Sequence, residues 1–153
     1  MFINDSKATN SEAAARALAC YENIFWIVGG RPKKSGLDEC EQYFSHVQHA
    51  YLIGEASLGL SQSLNGKINF TISGDIKSAI LQAILDIAER KVSQPVVLLS
   101  PACASFDQFS NFEDRGDYFK SLVEELPGTH QDPFEEPGLV PSLSDKKNKG
   151  VPK

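Results

Sequence analysis

Hydrophobic and polar positions along the chain fall into two patterns, short unbroken apolar runs and longer stripes at helical spacing. The runs are Ile24-Phe25-Trp26-Ile27-Val28, Ala50-Tyr51-Leu52-Ile53 and Val96-Val97-Leu98-Leu99. Runs this short and this apolar, rich in branched and aromatic residues, read as strands buried on both faces. Phe2-Ile3 reads as the end of another strand, and residues 67–71 alternate like a strand with one wet face after the Asn65-Gly66 turn. Between the runs lie the stripes. The clearest is Ile76, Ala79, Ile80, Ala83, Ile84, Ile87 and Ala88, placed behind Asp75 as its cap. From Ser11 the segment SEAAARALACYE is a strong helix former with Glu12 in the favourable first turn. Further helices are expected over residues 37–47 and 55–64. In the last helix Asp107 stands where an N-cap should, ahead of Phe109, Phe112, Phe119, Val123 and Leu126, and Pro127-Gly128 stops it.

Strand and helix in alternation predict an α/β domain, Rossmann-like and three-layered, with a mainly parallel sheet and helices on both faces. The pattern ends near residue 127. Residues 128–153 hold four prolines, three glycines, four acids and four lysines among few large apolar side chains. That composition cannot offset its own ordering entropy, so a disordered tail is expected, removable with little change in thermal stability.

Composition narrows the class. The 153 residues suit one domain that needs no disulfide or metal to hold its core. A formal net charge of −5 argues against a nucleic-acid backbone as partner. Cys20, Cys40 and Cys103 are an odd set without C-x-x-C spacing, which fits a reducing compartment better than a zinc site or a disulfide framework. No apolar run is long enough for membrane insertion, and the first residues lack a signal peptide's layout, so a cytoplasmic location is expected.

In an open parallel sheet, ligands bind at the carboxyl ends of the strands. That rule collects residues 4–10, 30–36, 55–57, 73–74 and 100–105 on one rim. The rim gathers Lys7, Arg31, Lys33 and Lys34 with the hydroxyls of Ser6, Thr9, Ser35, Ser100 and Ser105, on an otherwise acidic protein. Small residues from Ala102 to Ser105 would let a backbone approach closely before the last helix begins, a natural place for an anion. Each lysine taken singly reads as a solvated loop charge; their shared rim makes an anion pocket the leading site. Two or three charge-assisted hydrogen bonds, each contributing about 1.5–3 kcal/mol, would hold a small carboxylate or phosphate there. His46 and His49, three residues apart without a third ligand nearby, read as a surface pair rather than a metal site. No G-x-x-x-x-G-K-[ST] segment occurs, so the chain has no P-loop of its own.

Three segments stand in order: DSKATN from Asp5, Gly29-Gly30 followed by Lys33 and Lys34, and SPACASFDQFSNFEDRG over residues 100–116. Together they resemble the C-terminal domain of the bacterial Mur ligases, within it the D-glutamate-adding branch. The pattern there runs DSKATN, GG-x-x-K and SPACAS-x-DQF-x-x-F-E-x-RG. The first motif separates that branch from relatives with D-Y-A-H or N-A-N-P, and the resemblance spans about residues 2–126. It implies ATP-dependent amide formation, in which a carboxylate of UDP-N-acetylmuramoyl-L-alanine becomes an acyl phosphate and is attacked by the amine of D-glutamate. It further implies that Asp5 and Lys7 contact the nucleotide, Asp5 at the ribose. Thr9 and Lys33 would hold one carboxylate of D-glutamate, Ser105 and the Phe112 backbone the other, with the Phe112 ring serving core and pocket alike. Arg31-Pro32 replace the family's acidic or glycine positions, which leaves Lys33 and Lys34 both open as the ligand. The family's N-terminal UDP-binding domain and central ATPase domain have no counterpart here. ATP and magnesium are therefore expected to be bound mainly outside this chain, and the chain alone is expected to be inactive. The competing reading is a stand-alone anion-binding or regulatory α/β module without catalysis.

Overall fold

A computed structural model describes residues 1–34 and 36–127. The expectation of a disordered tail over residues 128–153 lies outside the described residues. Five strands form one sheet in the order β1-β5-β2-β3-β4, and every neighbouring pair is parallel. They are β1 (Phe2–Asn4), β2 (Ile24–Gly29), β3 (Val47–Ile53), β4 (Phe70–Gly74) and β5 (Val96–Leu99). The helices are α1 (Ser11–Cys20), α2 (Ser57–Leu64), α3 (Ile76–Arg90) and α4 (Phe112–Glu124), with a 3-10 helix over Asp38–His46.

Strand side chains alternate between faces, so each central strand feeds two cores. Ile24, Trp26 and Val28 join Ala50, Leu52, Val96 and Leu98 under α1, α2 and the 3-10 helix. Phe25 and Ile27 join Tyr51, Ile53, Val97 and Leu99 under α3 and α4. This is the three-layer arrangement that unbroken apolar runs require, since both strand faces must leave water.

Four boundaries differ from the sequence expectation, each for a local reason. Residues 37–47 do not form an α-helix. Leu37, Cys40, Tyr43 and His46 recur every third residue, and in a 3-10 helix side chains three apart eclipse, which turns Leu37 and Cys40 inward together. β3 then begins at Val47, three residues early, and takes His49 into the sheet. The strand expected over residues 67–71 begins instead at Phe70. The Lys67 and Ile68 amides both donate to the Leu64 carbonyl (2.9 and 3.1 Å), closing the end of α2 before the ladder can start. Finally, Asp107 does not cap the last helix. Asn111 does, accepting from the Asp114 amide at 2.7 Å, and residues 100–111 become a long loop over the carboxyl ends of the strands.

Candidate functional site

With every strand parallel, the loops assigned to one rim do share it. The loop after β1 holds Asp5, Ser6, Lys7 and Thr9 and ends at Asn10, whose side chain caps α1 by accepting from the Ala13 amide at 2.8 Å. The loop after β5 is stitched to it: the Ala102 amide donates to the Ala8 carbonyl at 2.9 Å, and Ser100 Oγ donates to Asp5 Oδ2 at 2.8 Å. The loop after β2 is stitched to the same segment from the other side. Arg31 and Ala104 form an antiparallel bridge, with the Arg31 amide donating to the Ala104 carbonyl at 2.9 Å. Gly30 makes the approach possible. A Cβ there would stand 2.4 Å from the Ala104 carbonyl oxygen, on backbone with φ +143°.

Arg115, from the first turns of α4, is buried at the centre of these loops, with 1% of its surface exposed. Its Nε donates to Ser6 Oγ (2.9 Å), Nη2 to the Ser6 carbonyl (2.6 Å) and Nη1 to the Cys103 carbonyl (3.0 Å). Ser6 Oγ in turn donates to the Phe112 carbonyl at 2.7 Å. One guanidinium thus ties the Thr9 loop, the Ser105 loop and the start of α4 into a single body. Gly116 lets α4 lie this close, since a Cβ there would meet Asn4 and Ser6 side-chain atoms at 3.2 Å. Burial lowers the Arg115 pKa to about 10, still charged at neutral pH. Burial likewise pushes the Cys103 thiol up to about 11, with the Arg115 and Lys33 charges pulling the other way.

The sequence-nominated residues fall on two sides of this body. Thr9 is half-buried and Lys33 exposed, and the Lys33 charge is felt at Cys103, two residues from Ser105. Lys34 instead lines a separate groove of about 300 Å³ with Leu37, Glu41, Phe44 and Lys67. Ser105 is 2% exposed, and its Oγ alone among buried side-chain nitrogen and oxygen atoms of the described residues has no hydrogen-bond partner. A buried hydroxyl without a partner normally costs about 1–3 kcal/mol. The Phe112 backbone lies at the site, but its ring does not serve the core as expected. It is 37% exposed and belongs to neither core. Phe112 lies on the helical face of Gly116, Phe119 and Val123 but is the first residue of α4, a turn before that face becomes buried at Gly116. Asp5 and Lys7 face the other way, lining a groove of about 480 Å³ between β1 and α1 with Arg16 and Tyr21. Burial raises the Asp5 pKa, opposed by the Ser100 hydrogen bond and the Lys7 charge.

Among known proteins, the chain is similar to curated relatives that carry the description UDP-N-acetylmuramoylalanine--D-glutamate ligase. The protein of Brucella abortus is 51% identical over 129 residues, covering 84% of this chain and 28% of the relative. That of Rhodopseudomonas palustris is 50% identical over 128 residues (84% and 27%), and that of Nitrobacter winogradskyi 48% over 128 residues (84% and 28%). This chain belongs to the Mur ligase family. It spans between a quarter and a third of the length of those relatives. No family model matches it.

In this Mur ligase chain the residue that sequence reasoning passed over is Arg115. It lies within the quoted RG of the third motif, yet a cation flanked by Glu113, Asp114 and Asp117 reads as solvated. The glycine after it was the available signal, because a helix needs one only where something approaches closely. Asp107 fastens a loop rather than capping a helix. Its Oδ2 accepts from the Glu55 amide at 2.9 Å, fastening the Ser105 loop to the end of β3, where a Cβ on Gly54 would meet the same oxygen at 2.3 Å.

Proposed function

We propose that residues 1–127 form the C-terminal, D-glutamate-binding domain of a cytoplasmic ligase that adds D-glutamate to UDP-N-acetylmuramoyl-L-alanine, in the synthesis of peptidoglycan precursors. The observation that carries this reading is the buried, unpartnered hydroxyl of Ser105, held on the same Arg115-centred body as Thr9. The relatives' shared description gives the chemistry its direction. D-glutamate has two carboxylates and one amine that must stay free to attack. Thr9 and Lys33 take one carboxylate; Ser105 Oγ, with amides opening α4 at Phe112, takes the other. The first amides of a helix have no intrahelical acceptor and carry its positive dipole end. Lys33 is preferred over Lys34 because Lys34 lines the separate groove beside Leu37 and Glu41. Two clamped ends orient the amine outward, toward an acyl phosphate formed beyond this domain.

ATP is bound partly here, with Asp5 accepting from ribose hydroxyls and Lys7 beside it in the β1–α1 groove. No group of three or more His, Cys, Asp or Glu side chains able to hold a metal occurs among the described residues. The relatives' greater length leaves room for the magnesium ion and the phosphates in a part of the enzyme outside this chain, and this chain by itself is expected to turn nothing over. Thermal shift against D-glutamate, L-glutamate and inorganic phosphate tests the reading. D-glutamate is expected to stabilise the chain more than the other two, and Thr9→Val or Ser105→Ala to remove the difference. Equal effects of D-glutamate and phosphate would favour a generic anion module instead.

A further inference from the structure

At the amino ends of the strands, away from the candidate site, a second polar cluster joins three elements. His49 of β3 is 8% exposed. Its Nδ1 lies 3.0 Å from Arg90 Nη2 of α3, and its Nε2 lies 2.8 Å from Thr71 Oγ1 of β4. Arg90 also donates to the Gln48 carbonyl at 3.3 Å and sits over the Phe25 ring at 6.0 Å. Tyr51, whose ring is 4.8 Å from that of His49, donates to Asp86 of α3 at 2.5 Å.

The protonation state follows from donor counting. A guanidinium has no acceptor, so Nδ1 must accept from Arg90. The single imidazole proton then sits on Nε2 and is donated to Thr71. A second proton on Nδ1 would set N–H against N–H at 3.0 Å, imidazolium against guanidinium. The charged or titratable groups facing His49 are Arg90 and Asp86 from α3 and Tyr51 from its own strand; β4 offers only the Thr71 hydroxyl. Asp86 is already engaged by Tyr51.

β4 is an edge strand, held on one side by β3 alone. We propose that His49 is an acid-sensitive latch that keeps β4 docked against β3 and α3, and that protonation at Nδ1, by setting the ring against Arg90, turns it out of its place between Arg90 and Thr71 and so releases this edge of the sheet. The far end of β4 reaches the rim, where the Gly74 carbonyl accepts from the Gly54 amide (3.0 Å) and Gln108 Nε2 (3.1 Å), so release at Thr71 loosens a strand that also supports the loop after β5. The direction agrees with burial and Arg90 lowering the His49 pKa. A base with a lowered folded-state pKa contributes stability fully present above its unfolded value of about 6.5 and lost as pH falls through the folded value.

The test is amide hydrogen exchange on the full 153-residue chain between pH 7.5 and 5, with the His49 ring followed by NMR. Protection factors of the Thr71–Ser73 amides are expected to fall on acidification. The limiting factor of loss is ten raised to the difference between the ordinary histidine pKa and the measured midpoint. His49→Gln, which can accept from Arg90 and donate to Thr71 at every pH, is expected to keep β4 protected throughout. Exchange data on the wild-type chain stand even where that variant folds poorly. A His49 midpoint at or above the ordinary value, a Nδ1–H tautomer, or pH-independent protection of β4 would each overturn the proposal.

Discussion

Ser105 keeps a buried hydroxyl that bonds to nothing among the described residues, so its removal separates stability from binding. Ser105→Ala is expected to leave unfolding free energy unchanged or raised by up to about 1 kcal/mol in chemical denaturation, while abolishing the response to D-glutamate. A substantial loss of stability would mean that the hydroxyl has a structural partner. Asp5 makes a related case through pH. Its folded pKa is raised, so its contribution is present below the unfolded carboxylate value and lost as pH rises through the folded one. Asp5→Asn should therefore be no less stable than wild type at neutral pH and should show a flatter stability profile on the acid side, yet weaken nucleotide binding. Arg115 is the opposite kind of residue. Arg115→Met leaves three buried acceptors without donors and should cost on the order of 3–5 kcal/mol. Arg115→Lys should rescue little, because one ammonium cannot reach both loops. Thr9, Lys33 and Ser105 could be nominated from the sequence because they sit at strand ends and in motifs. Arg115 was signalled only by the glycine that follows it, since its burial is made by acceptors contributed from residues 6 and 103.

At the level of elements, apolar runs and stripes located nearly every strand and helix, and the misplacements have a common origin. Several residues could each have capped or started an element, and tertiary contacts chose among them. Asp107 and Asn111 are both good caps, and only Asn111 precedes a turn whose later residues, Phe119 and Val123, reach the core. Asn111→Ala should cost about 1 kcal/mol, measured by denaturation. Asp107→Ala should act differently, loosening the Ser105 loop from Glu55 and speeding exchange of the Glu55 amide with little effect on α4. A shift of α4 protection in Asp107→Ala would show that the cap had been misread. The three-residue period over residues 37–46 was legible in the sequence but resembles a helical stripe until burial reveals which positions turn inward.

For the whole molecule, the parallel sheet is what made a site legible before any coordinates. Once strands and helices alternate, the direction of every strand follows, and with it the rim on which each loop falls. The strand order β1-β5-β2-β3-β4 could not be read that way, because nothing local says that β5 inserts between β1 and β2. That insertion lays the loop after β5 along the loop after β1, joined where the Ala102 amide meets the Ala8 carbonyl, which is the placement the proposed clamp requires. The most direct measurement is a 1H–15N titration of the 153-residue chain with D-glutamate, with L-glutamate as control. The expected result is saturable shifts for D-glutamate at amides around Thr9, Lys33, Ser105 and Phe112. Shifts confined to residues 128–153, or absent from both the Thr9 and Ser105 loops at saturating D-glutamate, would contradict it.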